Sequence, residues 1–213
     1  MRVILIANGV QTKQGADLIK KGIRKLGIED LSEKRILVVQ QERIRNQVWM
    51  MESISDAFVD MGFTQENITV WSGTGTGQTE NNDELYDVIY IGEGEAVALA
   101  QEFQASKGVC KIIRDCVKNN AVYIGASCGA VLAGKDVYLA KYYREKMPVS
   151  RDGKEQIPEG LGLLEGAAVV PHYGEEDFKR FIHDLSKEER SRYKRFYSVP
   201  DGEMLVLEKQ QGG

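Results

Sequence analysis

Ala121-Val122-Tyr123-Ile124-Gly125-Ala126-Ser127-Cys128-Gly129-Ala130-Val131-Leu132-Ala133 reads as a short apolar strand that runs through a tight turn straight into a helix. The turn has the form Gly-x-Ser-x-Gly, and a strand before it with a small-residue helix after it is the setting a nucleophile elbow requires. Such a turn holds its central serine in a sparsely allowed backbone conformation, so the residues two positions away must be very small. Gly125 and Gly129 meet that demand, and Ala126 and Ala130 add room. The hydroxyl of Ser127 then projects above the sheet, and the backbone N–H of Cys128 faces a developing oxyanion. Glycines that merely permit a tight strand-to-helix turn would look alike locally. The flanking strand and helix favour the elbow.

Other apolar runs repeat the pattern in both directions along the chain. Residues 3–7, 36–39, 68–71, 88–91, 121–124, 167–170 and 204–207 are short, rich in Val and Ile, and read as buried strands. Between them lie segments at helical spacing. Val48, Met51, Ile54, Ser55, Phe58 and Met61 recur at three and four residues before Gly62, a natural stop. Residues 97–103 and 112–117 behave similarly, the second ending at Asn119-Asn120. Strands separated by helices imply crossover connections, hence an α/β three-layer sandwich with a mainly parallel central sheet. Residues 1–213 form a single domain on this reading. Residues 141–159, with Pro148 and Pro158, read as a polar insertion, and the charged residues 175–195 as one surface helix striped by Phe178, Phe181, Ile182 and Leu185.

Composition removes several functions. The 213 residues carry 28 Lys+Arg against 32 Asp+Glu, a formal net charge of -4 that argues against a nucleic-acid partner. No apolar run approaches the roughly 20 residues of a membrane span, so no membrane partner is expected. The N-terminal run is also too short for a signal-peptide core. Cys110, Cys116 and Cys128 form no CxxC pair and sit at no zinc spacing from a histidine, which fits a reducing, cytoplasmic setting without a metal or other cofactor. Gly73, Gly75 and Gly77 alternate but lack the lysine of a P-loop and the spacing of a dinucleotide fingerprint. A surface turn is the better reading.

The chain has two histidines, His172 and His183, so any imidazole base must be one of them. His183 lies within the amphipathic charged segment. His172 follows the apolar run 167–170 and Pro171, just past the end of a strand, where functional loops of parallel sheets gather. His172 is therefore the candidate base for Ser127. For the acid, Asp201 on a turn and Glu203 entering the last strand both remain open, whereas Glu175, Glu176 and Asp177 are more simply helix N-terminal charges. Cys128 is a rival nucleophile. Centring the turn on it would place Ala126 and Ala130 where glycines are wanted.

The residues resemble the dipeptidase E (aspartyl dipeptidase) family of serine peptidases, to which cyanophycinase is related. The likeness is carried by Tyr123-Ile124-Gly125-Ala126-Ser127-Cys128-Gly129-Ala130, Val170-Pro171-His172-Tyr173 and Val199-Pro200-Asp201-Gly202, and covers most of residues 87–207. It implies a class I glutamine amidotransferase-like (flavodoxin-like) sheet, with Ser127 as nucleophile, His172 as base and Asp201 as the acid. Ile91-Gly92-Glu93-Gly94-Glu95-Ala96 falls where the family has a glycine-rich loop, which implies an oxyanion hole from the amides of Gly94 and Cys128. Glu93 and Glu95 depart from that pattern. A carboxylate there would oppose an oxyanion unless it points away, or could bind a substrate amine. No counterpart of the basic residues that would hold an N-terminal aspartate is evident. The expected activity is hydrolysis of short peptides or other small amides by a monomer or homodimer. The alternatives are a silent relative that binds a small molecule or partner, and a thiol enzyme using Cys128.

Overall fold

The computed structural model describes residues 1–41, 48–72, 85–140 and 157–209. Its elements are β1 (Arg2–Ile6), α1 (Lys13–Lys25), β2 (Ile36–Gln40), α2 (Val48–Met61), β3 (Ile68–Ser72), β4 (Val88–Ile91), α3 (Ala96–Ala105), α4 (Lys107–Lys118), β5 (Val122–Ala126) and α5 (Cys128–Leu132). Then come β6 (Ala167–Pro171), α6 (Glu175–Asp184), α7 (Lys187–Ser191), β7 (Arg195–Val199) and β8 (Met204–Glu208). Six strands form one sheet in the order β3-β2-β4-β5-β1-β8. All its pairings are parallel except that of β8 with β1, whose register sets Ile4 opposite Val206. The arrangement is the flavodoxin-like, class I glutamine amidotransferase-like fold.

Both faces of this sheet are covered, which explains why its strands read as unbroken apolar runs rather than alternating ones. Val3, Leu5, Leu37, Val39, Ile89, Ile91 and Tyr123 point to one side, where Leu99 and Phe103 of α3 and Ile112, Ile113 and Val117 of α4 pack on them. Ile4, Ile6, Ile36, Val38, Val88, Tyr90, Val122 and Ile124 point to the other, against Ile19 and Ile23 of α1 and Ile54 and Phe58 of α2. Each such side chain, fully removed from water, stabilises the fold by about 1.5–3 kcal/mol relative to exposure.

Two departures from the sequence pattern shape the site. Strand β6 lies outside the central sheet and pairs in parallel with β7. β7 reads Arg195-Phe196-Tyr197-Ser198-Val199, too polar to stand out as a run. The charged segment is also two helices rather than one. Leu185 turns extended after α6, and Ser186 starts α7 with a capping box, its hydroxyl accepting from Glu189 N while the Glu189 side chain accepts from Ser186 N. The glycine-rich turn at 73–77 and most of the polar insertion, 141–156, lie outside the described residues.

The β6–β7 unit is pinned to the loop after α5 by Asp136, which is 8% exposed. Its carboxylate accepts from Tyr138 N at 3.1 Å, from Arg192 Nη2 at 3.2 Å and from the Tyr193 hydroxyl. Burial first, and the Asp136 carboxylate second, push the Tyr193 phenol well above its ordinary pKa, so it remains a donor. Asp136→Ala leaves Arg192 and Tyr193 without their shared acceptor. We expect a loss of about 3 kcal/mol, read as an earlier midpoint in urea unfolding.

Candidate active site

Ser127 joins β5 to α5 with φ 49° and ψ -104°, a conformation closed to most L-residues, which costs about 1–3 kcal/mol. It is held by Ser127 N donating to Ile6 O at the end of β1 (3.0 Å) and by Ser127 O accepting from Ala130 N (3.0 Å). The flanking glycines are required by contact. A Cβ on Gly125 would lie 2.6 Å from Gly129 O, and one on Gly129 would lie 2.2 Å from Ile91 O. The buried Tyr123 hydroxyl donates to Gly129 O at 2.6 Å and braces the turn from below. In the sequence the brace shows only as a tyrosine within an otherwise aliphatic strand, at the head of the elbow motif.

The parallel pairing of β6 with β7 sets their next residues side by side. Pro171 lies opposite Val199, and His172 N then donates to Val199 O at 2.8 Å. His172 has φ 69°, which swings its ring back over the elbow. Past Val199 the chain turns sharply: Glu203 N donates to Pro200 O at 3.2 Å, and Gly202 takes φ 78°. Asp201 sits on this turn. Ser127 Oγ is 3.1 Å from His172 Nε2, and His172 Nδ1 is 2.8 Å from Asp201 Oδ1. The serine is 4% exposed, while the Asp201 side chain is 62% exposed, so the three groups run from the interior to the surface. Glu203 leads into β8. His183 lies on α6 with its side chain 86% exposed.

The loop at residues 92–95 leaves β4 beside the elbow and is tied to it by Cys128, whose Sγ donates to Gly92 O at 3.0 Å. The Glu93 carboxylate is engaged with the loop after β1, accepting from Gly9 N at 2.8 Å and from the Gln11 amide. Glu95 stands at the N-cap of α3, its N donating to Gln41 Oε1 at 3.1 Å. Gly94 lies between them with φ 154°. Burial pushes the Cys110 and Cys116 thiols above their ordinary pKa, so both remain protonated packing groups.

Beneath Ser127 and His172 opens a cavity of about 220 Å³, walled by Ala96, Val131, Leu139, Val169, Val170 and Tyr173. Glu93 and Glu95 are not among its described lining. These wall residues come from the start of α3, from α5, from β6 and the residues just past it, and from the chain after Asp136. Val169 and Val170 read from the sequence as buried strand, because an apolar cavity wall and an apolar core position have one composition.

Among the described residues no helix is long and apolar enough to cross a membrane. No curated protein matches the chain. Among the solved structures that share its fold are two peptidases by name. One is a provisionally named peptidase E protein from Listeria monocytogenes EGD-e, 17% identical with a TM-score of 0.65, covering 99% of this chain and 98% of its own. The other is a peptidase from an acI-B1 Actinobacterium, 15% identical with a TM-score of 0.60, covering 97% of this chain and 82% of its own. The sequence matches the profile of peptidase family S51 over residues 3–212, in line with the likeness to dipeptidase E at the elbow. Matched over nearly its whole length, the chain belongs to peptidase family S51 and is an enzyme of the peptidase class.

Proposed function

We propose that this peptidase works by serine chemistry on short peptides or other small amides, with Ser127 as nucleophile, His172 as general base and Asp201 as the orienting acid. The observation that carries this is the unbroken path from Ser127 Oγ through the His172 ring to Asp201 Oδ1, at 3.1 and 2.8 Å. In the first half of the reaction, Ser127 Oγ attacks the carbonyl carbon and passes its proton to His172 Nε2. The oxygen that takes the negative charge meets the backbone amides of Gly94 and Cys128. His172 then protonates the leaving amine, and the C–N bond breaks. Water, deprotonated by the same nitrogen, releases the acyl group in the second half.

Asp201 is preferred to Glu203 because its carboxylate reaches the ring nitrogen that does not face the serine. The Glu93 carboxylate is held in place by Gly9 N and the Gln11 amide, neutral donors that order it and leave its charge intact. The Cys128 thiol is committed to Gly92 O, which supports a structural role for it rather than a nucleophilic one. Three cysteines that form no disulfide favour a cytoplasmic location. Labelling by an alkyl fluorophosphonate tests the assignment. Wild type and Cys128→Ala should label, and Ser127→Ala should not. Equal labelling of wild type and Ser127→Ala, or labelling of neither, would sink it.

A further inference from the structure

Resting on that reading, we infer that the cavity under Ser127 receives an apolar side chain flanking the scissile bond. The preferred substrates are then short peptides with an aliphatic or aromatic residue at that bond. Ser127 and His172 line the same cavity as the apolar wall, so a substrate whose carbonyl meets Ser127 Oγ has a side chain within reach of it. At about 220 Å³ it exceeds the roughly 150 Å³ of an apolar cavity that stays dry and takes up a benzene ring. A leucine, methionine or phenylalanine side chain is of the right scale.

The wall is built to stay apolar. Ala96, Val131, Leu139, Val169 and Val170 are each at most 7% exposed and come from four separate parts of the chain. Tyr173 presents its ring at the edge, held against Phe181 with centroids 5.5 Å apart. No Lys, Arg, Asp or Glu stands among the described lining residues. A substrate carboxylate or ammonium entering it would shed water and meet no opposite charge among the described lining, which a transition-state complex cannot tolerate cheaply. An apolar group entering it instead removes its own apolar surface from water. Selection against charge and in favour of bulk follows from the same wall.

A dipeptide panel tests this, with Gly, Ala, Leu, Phe, Asp and Lys placed in turn at each of the two positions, and wild-type labelling by the fluorophosphonate run alongside. At one position, kcat/KM should rise at least tenfold from Gly to Leu or Phe, with Asp and Lys at or below Gly. Ala140 is half-buried and lines the cavity. Ala140→Phe should therefore cut the Leu-to-Gly ratio about tenfold. A labelled wild type that cleaves Asp or Lys substrates as well as Leu ones would overturn the cavity assignment and leave the nucleophile standing. An unlabelled wild type would instead overturn the serine reading. The wild-type panel decides the matter even if the Ala140 variant fails to fold.

Discussion

Ser127→Ala is expected to lower kcat by about 10⁴–10⁶-fold while the protein folds as before. The size of the effect follows from the way the parts depend on one another. Without Oγ, His172 has no proton to take, and no acyl-enzyme can form. What survives is the polarisation of a bound carbonyl by backbone amides, which accounts for about 10³-fold over water in enzymes of this kind. Folding should survive because the elbow is held by backbone hydrogen bonds to Ile6 and Ala130, none of which uses the side chain. The φ of 49° is a second handle on the same residue. Ser127→Gly should abolish activity to the same extent yet resist urea at least as well as wild type. Glycine relieves about 1–3 kcal/mol of strain and gives back roughly 0.5–1 kcal/mol in chain entropy. A Ser127→Gly variant that unfolds earlier than wild type would show that the elbow is not under strain.

The strained turn was legible in the sequence because its requirements are local. Gly125 and Gly129 are forced by atoms within a few residues, or by the end of β4 directly alongside, so the pattern carries the geometry with it. The central strands were legible for a related reason, since burial on both faces leaves little but Val, Ile and Leu in them. β7 was not. It lies outside the central sheet and mixes polar with apolar residues in no regular period, so its role became apparent only through its pairing with β6. That pairing also brings Asp201 to His172, in support of Asp201 over Glu203 as the proposed acid. Which carboxylate meets His172 depends on the register of two strands about 30 residues apart and on a turn with Gly202 at φ 78°. The partners of Glu93 were hidden for a similar reason. Gly9 and Gln11 precede it by some 80 positions, and only the parallel order of β4, β5 and β1 brings the two loops together.

Asp201→Asn should lower kcat/KM by about 10²–10³-fold, whereas Glu203→Gln should change it less than about threefold. An asparagine can hold the ring in place, but it offers Nδ1 either a donor or an uncharged acceptor. If its NH₂ faces Nδ1, the ring's proton is moved to Nε2, the nitrogen that must accept from Ser127, and the base is disabled. If its oxygen faces Nδ1, the tautomer is right, but no negative charge is left to stabilise the imidazolium that forms during attack. In a fully buried triad this substitution costs about 10⁴-fold. Asp201 is 62% exposed, so water shares in solvating the imidazolium and the loss should be smaller. The burial of Ser127 acts the other way, since the proton it gives up cannot go to bulk solvent and must pass through His172. Parallel loss of kcat in Asp201→Asn and His172→Ala, with no further loss in the double variant, would mark the two side chains as one unit. Additive losses would separate them, and Asp201 would then be a surface carboxylate that happens to touch the ring.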